Sequence, residues 1–199
     1  MCVGRNYVGH AAELGNDVPA EPLIFLKAPS AVIRAGEAIE VPPGIGRVDY
    51  EGEIGLVIGR TAQRVAREDA PSVIRGICPA NDVTARALQR SDSQWSRAKG
   101  FDTFCPLGQE VALDGRDLGA LEVVTRVNGD ERQRGHSSTL AFDIPYLIEY
   151  ISNIMTLEPG DLVLTGTPHG VGPLQSGDQV EVEVVGVGSV TNPVVHRPD

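Results

Sequence analysis

The sequence has few cysteines and histidines and no long apolar run. Its three cysteines, Cys2, Cys78 and Cys105, are an odd number without a Cys-x-x-Cys spacing, and only four histidines are scattered between them. This excludes a disulfide framework and a zinc site. No run approaches the roughly 18–20 apolar residues that cross a bilayer, and the start MCVGRNYVGH does not resemble a signal peptide. We therefore expect a soluble cytoplasmic protein with no membrane partner.

Basic residues are also sparse. Lys and Arg number 17 against 27 Asp and Glu, a net charge of −10, and they form no cluster. An acidic chain without a basic patch is not expected to bind nucleic acid. The glycine-rich segment TGTPHGVGP has neither the Gly-Lys-Ser/Thr ending of a P-loop nor a GxGxxG pattern, so nucleotide binding is not predicted.

The composition is that of a globular protein rich in turns. Of the 199 residues, 41% are hydrophobic and 22% are charged, which is typical of one soluble domain, so we expect a single domain over residues 1–199. The chain also has 23 glycines and 14 prolines, which demand many turns. Strands and loops should therefore outweigh helices.

Several segments show strand patterns. Residue types alternate over 50–58 (YEGEIGLVI), which predicts a strand. Asn128-Gly129, between LEVVTRV and DERQRG, predicts a type I′ hairpin because both central residues of that turn need a positive φ. Further short strands are predicted at Pro22–Lys27, around the Pro42-Pro43-Gly44 loop between Ile39 and Tyr50, at GICPAN, DLVLTG and QVEVEVV, and near Ser189–Val195.

Three helices are predicted. One covers about 65–74, and a second covers Val83–Arg90 with Asn81 or Asp82 as its N-cap. The third follows Asp143, which can cap it, and its apolar residues recur at helical spacing: Ile144, Leu147, Ile148, Ile151 and Ile154.

Three carboxylates are candidates for a cation site. Glu51 and Glu53 leave the same face of one predicted strand, about 6.6 Å apart, and Gly52 and Gly55 leave space beside them. If Asp82 points back to that face, the three form an all-oxygen site suited to Mg²⁺ or Mn²⁺. The alternatives are a solvated strand face for the glutamates and a helix cap for Asp82.

Two further features are compatible with catalysis. His10 and Glu13 lie three residues apart, so on a short helix they face the same way, and the carboxylate can orient the imidazole. The alternative is an exposed polar pair. Lys99 is equally ambiguous, since most lysines are solvated.

Six segments stand in register over most of the chain. In chain order they are GRNYVGHAAELG, PLIFLKAPSA, VDYEGEIGLVIG, NDVTARALQ, KGFDTFCPLG and GDLVLTGTPHGVGP, and they span residues 2 to about 185. Together they resemble the fumarylacetoacetate hydrolase family. The resemblance implies an α+β fold built on a mixed, rolled β-structure with a few short helices. It also implies a homodimer and a divalent metal, Mg²⁺ or Mn²⁺, at the mouth of the roll.

The matching motif positions imply roles for individual residues. The metal ligands would be Glu51, Glu53 and Asp82. A short helix that closes over the substrate would carry the His10 and Glu13 pair. The remaining implied residues face or bind the substrate: Lys99, Gly166 and Thr167, with Arg5, Tyr7 and Lys27 as weaker candidates. Ala87 and Gln109 depart from the common family pattern, in which Asp and Pro stand at these positions.

The resemblance also implies a reaction. A metal-dependent enzyme would act on a small 2-oxo acid, hydrolysing the C–C bond of an acylpyruvate or decarboxylating oxaloacetate through an enolate that the metal stabilises. The alternatives are an isomerase or decarboxylase of unsaturated 2-oxo dicarboxylates, a sugar-acid dehydratase, and a non-catalytic domain that binds a metal or metabolite.

Overall fold

The computed structural model describes residues 1–13, 15 and 17–198, and strands dominate it. The strands are β1 Cys2–Gly4, β2 Leu23–Phe25, β3 Val32–Ile33, β4 Ile39–Val41, β5 Val48–Tyr50, β6 Gly52–Ile58, β7 Ile74–Asn81, β8 Thr84–Ala85, β9 Cys105–Pro106, β10 Val111–Ala112, β11 Glu122–Val127, β12 Asp130–His136, β13 Leu162–Leu164, β14 Gly172–Pro173, β15 Gln179–Val184 and β16 Gly188–His196. The α-helices are α1 Val8–Glu13, α2 Arg86–Ser91, α3 Ser96–Lys99 and α4 Ile144–Ile154, and short 3-10 helices cover Pro29–Ala31, Arg67–Val73 and Ser137–Thr139.

Two mixed sheets form the body of the fold. One has six strands in the order β10-β7-β6-β13-β1-β2, in which only β1 and β13 pair in parallel. The other has five strands in the order β12-β11-β15-β16-β4, in which only β16 and β4 are parallel. Mixed sheets with few and short helices confirm the α+β class.

The main core lies between the two sheets and α4. Ile54 and Leu56 of β6 join Val123 of β11 and Val182 of β15 in one buried cluster, which also contains the apolar face of α4. Burying that much apolar surface is the main favourable contribution to folding. Every residue of β6 is buried, so this strand is covered on both faces.

Helix α4 and the hairpin form where the sequence predicts them. The Asp143 carboxylate caps α4 by accepting a hydrogen bond from the Tyr146 N–H at 2.9 Å. Ile154, at the last turn, is the one member of the predicted apolar stripe that is exposed. Asn128 and Gly129 have φ values of 54° and 86°, as a type I′ turn requires.

The two other helix predictions are wrong in type or bounds. The segment predicted as a helix over 65–74 is a 3-10 helix at Arg67–Val73, and Ile74 already pairs with Ile58 in the six-stranded sheet. Pro71 inside the segment lacks the N–H that an α-helix needs.

The strand predicted at Pro22–Lys27 forms, but it is shorter than predicted and covers only Leu23–Phe25.

The helix predicted at Val83–Arg90 begins only at Arg86. Thr84 and Ala85 pair with β5 instead, so the chain stays extended there. Neither Asn81 nor Asp82 is the cap, because the residue before the helix is Ala85 and no side chain caps it. Asp82 is therefore available for another role.

Gly52 and Gly55 of β6 allow neighbouring residues to pack closely against the strand, and they do not open space beside the carboxylates. A Cβ at Gly52 would lie 1.9 Å from the Thr125 hydroxyl oxygen of the facing sheet. A Cβ at Gly55 would lie 2.8 Å from the Cys78 sulfur. The interpretation that they leave space for a ligand is wrong, since both positions are filled by neighbouring protein atoms.

No helix in the described part of the chain is both long and apolar enough to span a membrane.

Candidate active site

One cavity of about 400 Å³ contains most of the polar residues that the sequence singles out. Its lining residues are Val3, Gly4, Arg5, His10, Glu51, Glu53, Asp82, Arg86, Gln89, Arg90, Trp95, Lys99 and Thr167. The three carboxylates, the histidine and the lysine therefore converge from separate parts of the chain.

Antiparallel pairing of β6 with β7 brings the carboxylates together. Gly52 pairs with Asn81, and the residues just outside this pair, Glu51 and Asp82, share a hydrogen bond from the Asp82 N–H to the Glu51 carbonyl at 2.8 Å. The Asn81 side-chain oxygen accepts from the Glu51 N–H at 2.9 Å. One carboxylate oxygen from each of Glu51, Glu53 and Asp82 lies within 4.8 Å of the others. The convergence that sequence spacing left open is present.

All three carboxylates are buried, with exposed fractions of 3% or less, so the solvated-face interpretation is wrong. Lys99 is also buried, and its Nζ donates to Glu51 at 2.8 Å and to Asp82 at 2.5 Å. Burial alone would lower the pKa of Lys99, but Asp82 and Glu51 raise it above its usual value. Burial likewise opposes ionisation of Glu51, yet Lys99 and Arg86 hold the pKa of Glu51 well below its usual range. The ammonium of Lys99 is thus fixed among the carboxylates.

Glu53 differs from the other two carboxylates because, among the described residues, no basic side chain lies within 4.0 Å of it. Among the described residues, the Glu53 carboxylate accepts one hydrogen bond, from the backbone N–H of Gly166 at 2.7 Å. Burial, then the nearby charges of Asp82 and Glu51, raise its pKa well above the usual value. A buried carboxylate without a countercharge favours a cation, and three oxygen donors suit Mg²⁺ or Mn²⁺. The residues therefore fit a divalent metal.

A buried ion network behind the carboxylates was missed by the sequence reasoning. Arg86, 4% exposed, donates to Asp49 at 2.8 Å and contacts Glu51 at 2.6 Å. Arg47 binds the same Asp49 through two nitrogens, at 2.6 and 3.0 Å. The Arg86 Nη2 atom is buried and has no hydrogen-bond partner among the described residues, and the Arg86 residue lines the cavity. No sequence signal marks a buried arginine.

This network predicts a stability effect. Replacing Asp49 by asparagine keeps the volume but removes one of the two carboxylates that Arg86 contacts, so the buried network is left with one excess positive charge. This should lower the free energy of unfolding by about 3–5 kcal/mol. Urea unfolding of the metal-free protein measures this. The control Asp92→Asn removes an exposed pair with Arg97, and it should cost at most about 1 kcal/mol. Equal effects of the two variants would contradict the assigned role of Asp49.

The histidine and glutamate pair forms as predicted. His10 Nδ1 lies 3.3 Å from a Glu13 carboxylate oxygen, and His10 is 5% exposed at the cavity. Glu13 also accepts from the Gly170 N–H at 3.1 and 3.2 Å, which joins α1 to the loop after β13. The Glu13 carboxylate orients the imidazole through Nδ1, and the other ring nitrogen, Nε2, makes no contact with Glu13.

Three other residues predicted to bind the substrate, Gly166, Thr167 and Lys27, form hydrogen bonds to groups of the protein itself. Gly166 donates its N–H to Glu53, and the Thr167 hydroxyl donates to the Gly52 carbonyl at 2.9 Å, although Thr167 lines the cavity. Lys27 lies behind Asp82, with Nζ 2.6 Å from its carboxylate, and does not line the cavity. These groups position the carboxylate site, and direct contact with a substrate stays a prediction for them.

Arg5 and Tyr7 differ in their position relative to the cavity. Arg5 lines the cavity, and its Cζ lies 5.9 Å from the centre of the Trp95 ring. Tyr7 is buried outside the lining, and its hydroxyl has no hydrogen-bond partner within the described ranges. Burial raises the pKa of Tyr7 above its usual value. Of the two departures from the family pattern, Ala87 and Gln109, neither lines the cavity.

Comparison with known proteins gives the family. Residues 1–195 match the sequence model of the family described as fumarylacetoacetate (FAA) hydrolase C-terminal. This chain belongs to the fumarylacetoacetate hydrolase family. The match runs over nearly the whole chain, so it covers every residue assigned above to the carboxylate site.

Three members of the fumarylacetoacetate hydrolase family show the range of relatives. The mitochondrial oxaloacetate tautomerase of Arabidopsis thaliana is 44% identical, and the alignment covers 99% of this chain and 91% of the relative. The structure of 2-hydroxyhepta-2,4-diene-1,7-dioate isomerase from Mycobacterium marinum is 44% identical with a TM-score of 0.91, covering 100% of this chain and 74% of that one. Fumarylpyruvate hydrolase from Pseudomonas aeruginosa, in complex with Mn²⁺ and pyruvate, is 30% identical with a TM-score of 0.92, covering 98% of this chain and 88% of that one.

Proposed function

We propose that this protein is a metal-dependent enzyme that converts small 2-oxo acids through an enolate at C3, with hydrolysis of the C3–C4 bond of acylpyruvates as its reaction. The observation that supports this most directly is the His10 and Glu13 pair at the same cavity as the three buried carboxylates. A pair of this kind supplies a general base beside a site for a cation.

The carboxylates of Glu51, Glu53 and Asp82 would hold the metal. When bound, Mg²⁺ or Mn²⁺ supplies Lewis acidity toward the carboxylate and 2-oxo oxygens of the substrate. The related fumarylpyruvate hydrolase from Pseudomonas aeruginosa was solved with Mn²⁺ and pyruvate, which supports a divalent metal and a 2-oxo acid ligand here.

The side chains of this chain supply the proton transfers. His10 Nε2 would take a proton from a water molecule whose oxygen attacks the C4 carbonyl of the acylpyruvate. The C3–C4 bond then breaks, which releases a carboxylic acid and leaves the electron pair on the enolate of pyruvate. His10 Nε2 then returns the proton to C3, which gives pyruvate and restores the base. Glu13 holds the imidazole in the orientation that this step needs.

Lys99 and Arg86 would stabilise the negative charge that develops. The Lys99 ammonium is already ordered by Glu51 and Asp82, so little reorganisation is required when charge grows on the substrate oxygen. Arg86 lines the same cavity, and its guanidinium would add positive charge beside a bound substrate anion.

Conversion of oxaloacetate is the second candidate, favoured by the identity to the plant oxaloacetate tautomerase. The same enolate forms when C3 loses a proton or when the C4 carboxylate leaves as CO₂. Isomerisation of an unsaturated 2-oxo dicarboxylate, the activity named for the Mycobacterium marinum relative, would use the same proton transfer at C3.

The direct test follows pyruvate release from acetylpyruvate and from oxaloacetate, side by side, with Mg²⁺ or Mn²⁺ and again after EDTA. A reaction without enzyme gives the background of the free metal. We expect release from acetylpyruvate that exceeds this background and disappears with EDTA. Absence of turnover on both substrates, with the metal bound, would contradict the hydrolase proposal, and enol–keto conversion of oxaloacetate then distinguishes a tautomerase from a binding protein.

A further inference from the structure

The backbone of Gly52 lies between the two glutamates of the carboxylate site, and side chains hold it where a neighbouring strand ends. β13 pairs with residues 55–57 of β6, so Gly52 lies beyond the end of that pairing. The Gly52 N–H donates to the side-chain oxygen of Gln133 at 3.0 Å, and its carbonyl accepts from the Thr167 hydroxyl at 2.9 Å. Two side chains therefore complete the backbone hydrogen bonding of β6 at this residue.

Gln133 reaches this backbone from the five-stranded sheet. It lies on β12 opposite Thr125 of β11, whose hydroxyl oxygen would be 1.9 Å from a Cβ at Gly52. Because Gly52 has no side chain, the five-stranded sheet approaches β6 closely enough for Gln133 to bond to its backbone. Gln133 is 2% exposed and does not line the cavity.

Both donor positions of the Gln133 amide are also paired. Its nitrogen donates to the Thr167 hydroxyl oxygen at 2.9 Å and to the Pro168 carbonyl at 2.8 Å. The Thr167 hydroxyl, which itself donates to Gly52, is therefore oriented by Gln133. A buried polar network in which each member is paired makes its surroundings rigid.

The loop that Gln133 holds also binds Glu13. Gly170, two residues after Pro168, donates its N–H to the Glu13 carboxylate at 3.1 and 3.2 Å. A Cβ at Gly170 would lie 2.2 Å from the Arg132 carbonyl oxygen, so the loop rests directly on the backbone of β12. Gln133 thus connects the strand that carries the two glutamates with the loop that anchors the general base pair.

From these contacts we infer that Gln133 is a positioning residue for the whole site. It fixes the backbone between Glu51 and Glu53, and hence the spacing of their carboxylates. It also fixes the position of the loop that holds Glu13 relative to that strand. Gln133 acts through these neighbours rather than by touching the metal or the substrate. The inference rests on the proposed function, because the spacing matters through the metal that the carboxylates hold.

Binding of Mn²⁺ tests the inference without turnover. Gln133→Met keeps the length of the side chain and removes its three hydrogen bonds. We expect calorimetry to give an affinity for Mn²⁺ about tenfold or more below that of the unaltered protein, as for other residues that support a metal ligand. The electron paramagnetic resonance spectrum of the bound Mn²⁺ should also change, because its zero-field splitting depends on the geometry of the ligands.

Asn192→Leu is the matched control. The Asn192 amide is 1% exposed, and it donates to the carbonyls of Arg34 and Glu37 at 2.8 Å each, outside the cavity. Its loss should destabilise the protein while Mn²⁺ affinity and the spectrum stay the same. An effect of Asn192→Leu equal to that of Gln133→Met would overturn the inference, since general destabilisation would then explain both.

Thr167→Val is a milder change, because it removes only the hydroxyl that holds the Gly52 carbonyl. It should weaken Mn²⁺ binding less than Gln133→Met does. The double variant should lose less affinity than the product of the two single losses, because the two residues act on one backbone group. Unchanged Mn²⁺ affinity and spectrum in Gln133→Met would overturn the inference. If Gln133→Met does not fold, unchanged binding in Thr167→Val would do the same.

Kinetics test the connection to Glu13. With Mn²⁺ saturating, kcat of Gln133→Met on acetylpyruvate should still fall by about tenfold or more, because the loop that anchors Glu13 loses its bond to Gln133. A normal kcat under these conditions would overturn this part of the inference. Failure of the proposed function gives a different result, since the unaltered protein would then show no turnover while its Mn²⁺ binding remains measurable.

Discussion

Replacing His10 by alanine is expected to lower turnover of acetylpyruvate by about 100-fold or more, because the reaction loses its general base. Metal affinity should not change, since the imidazole contacts Glu13 and none of the three proposed ligands within hydrogen-bond distance. Steady-state kinetics with saturating Mn²⁺, together with calorimetry of Mn²⁺ binding, measures both effects.

Two variants make the His10 test specific. Glu13→Gln keeps the side-chain volume but removes the charge that orients the imidazole, so turnover should fall by less than in His10→Ala. His196→Ala alters an exposed histidine outside the cavity and should retain normal turnover. Turnover of His10→Ala close to that of the unaltered protein would remove His10 from the mechanism.

Replacing Glu53 by glutamine is expected to weaken Mg²⁺ and Mn²⁺ binding by at least about 100-fold. Removing a residue that only supports a metal ligand costs about 10- to 100-fold in metal affinity, and removing a ligand itself should cost at least the upper end of that range. The amide has the same size but neither the charge nor the donor strength of a carboxylate. Calorimetric titration of the metal-free protein with Mn²⁺ measures the loss.

The same variant should have the opposite effect on the metal-free protein. Glu53 is buried beside Asp82 and Glu51 without a basic partner among the described residues, so its negative charge opposes folding when no metal is bound. Glu53→Gln should therefore unfold at an equal or higher urea concentration than the unaltered protein in EDTA, and lose the stabilisation that Mn²⁺ gives. Glu181→Gln, at a partly exposed position on β15, is the matched control. Unchanged Mn²⁺ affinity in Glu53→Gln would contradict the assignment of this ligand.

Local patterns predicted the elements whose formation depends on nearby residues. The Asp143 cap and the apolar spacing of Ile144 to Ile151 determine α4, and Asn128-Gly129 determines its hairpin, because both signals act within a few residues. The segment at 65–74 shows the limit. Its residues suit a helix, but Pro71 and the pairing of Ile74 with Ile58 decide the structure.

The candidate site could be predicted only in part. The spacing of Glu51 and Glu53 indicates that they share a face, but spacing alone could not tell whether Asp82 joins them or caps a helix. Pairing of β8 with β5, which delays the start of α2 to Arg86, decides that choice. The family resemblance, rather than the spacing, identified Asp82, His10 and Lys99 together. Tertiary contacts alone reveal Asp49 and Arg86.

The measurement that tests the central claim most directly is a diffraction experiment on crystals of this protein with Mn²⁺ and oxalate, recorded at a wavelength where manganese scatters anomalously. We predict one strong anomalous peak within coordination distance of carboxylate oxygens from Glu51, Glu53 and Asp82, with oxalate completing the coordination and His10 facing it. Manganese bound elsewhere, with these three carboxylates contacting only Lys99, Lys27 and Arg86, would contradict the account.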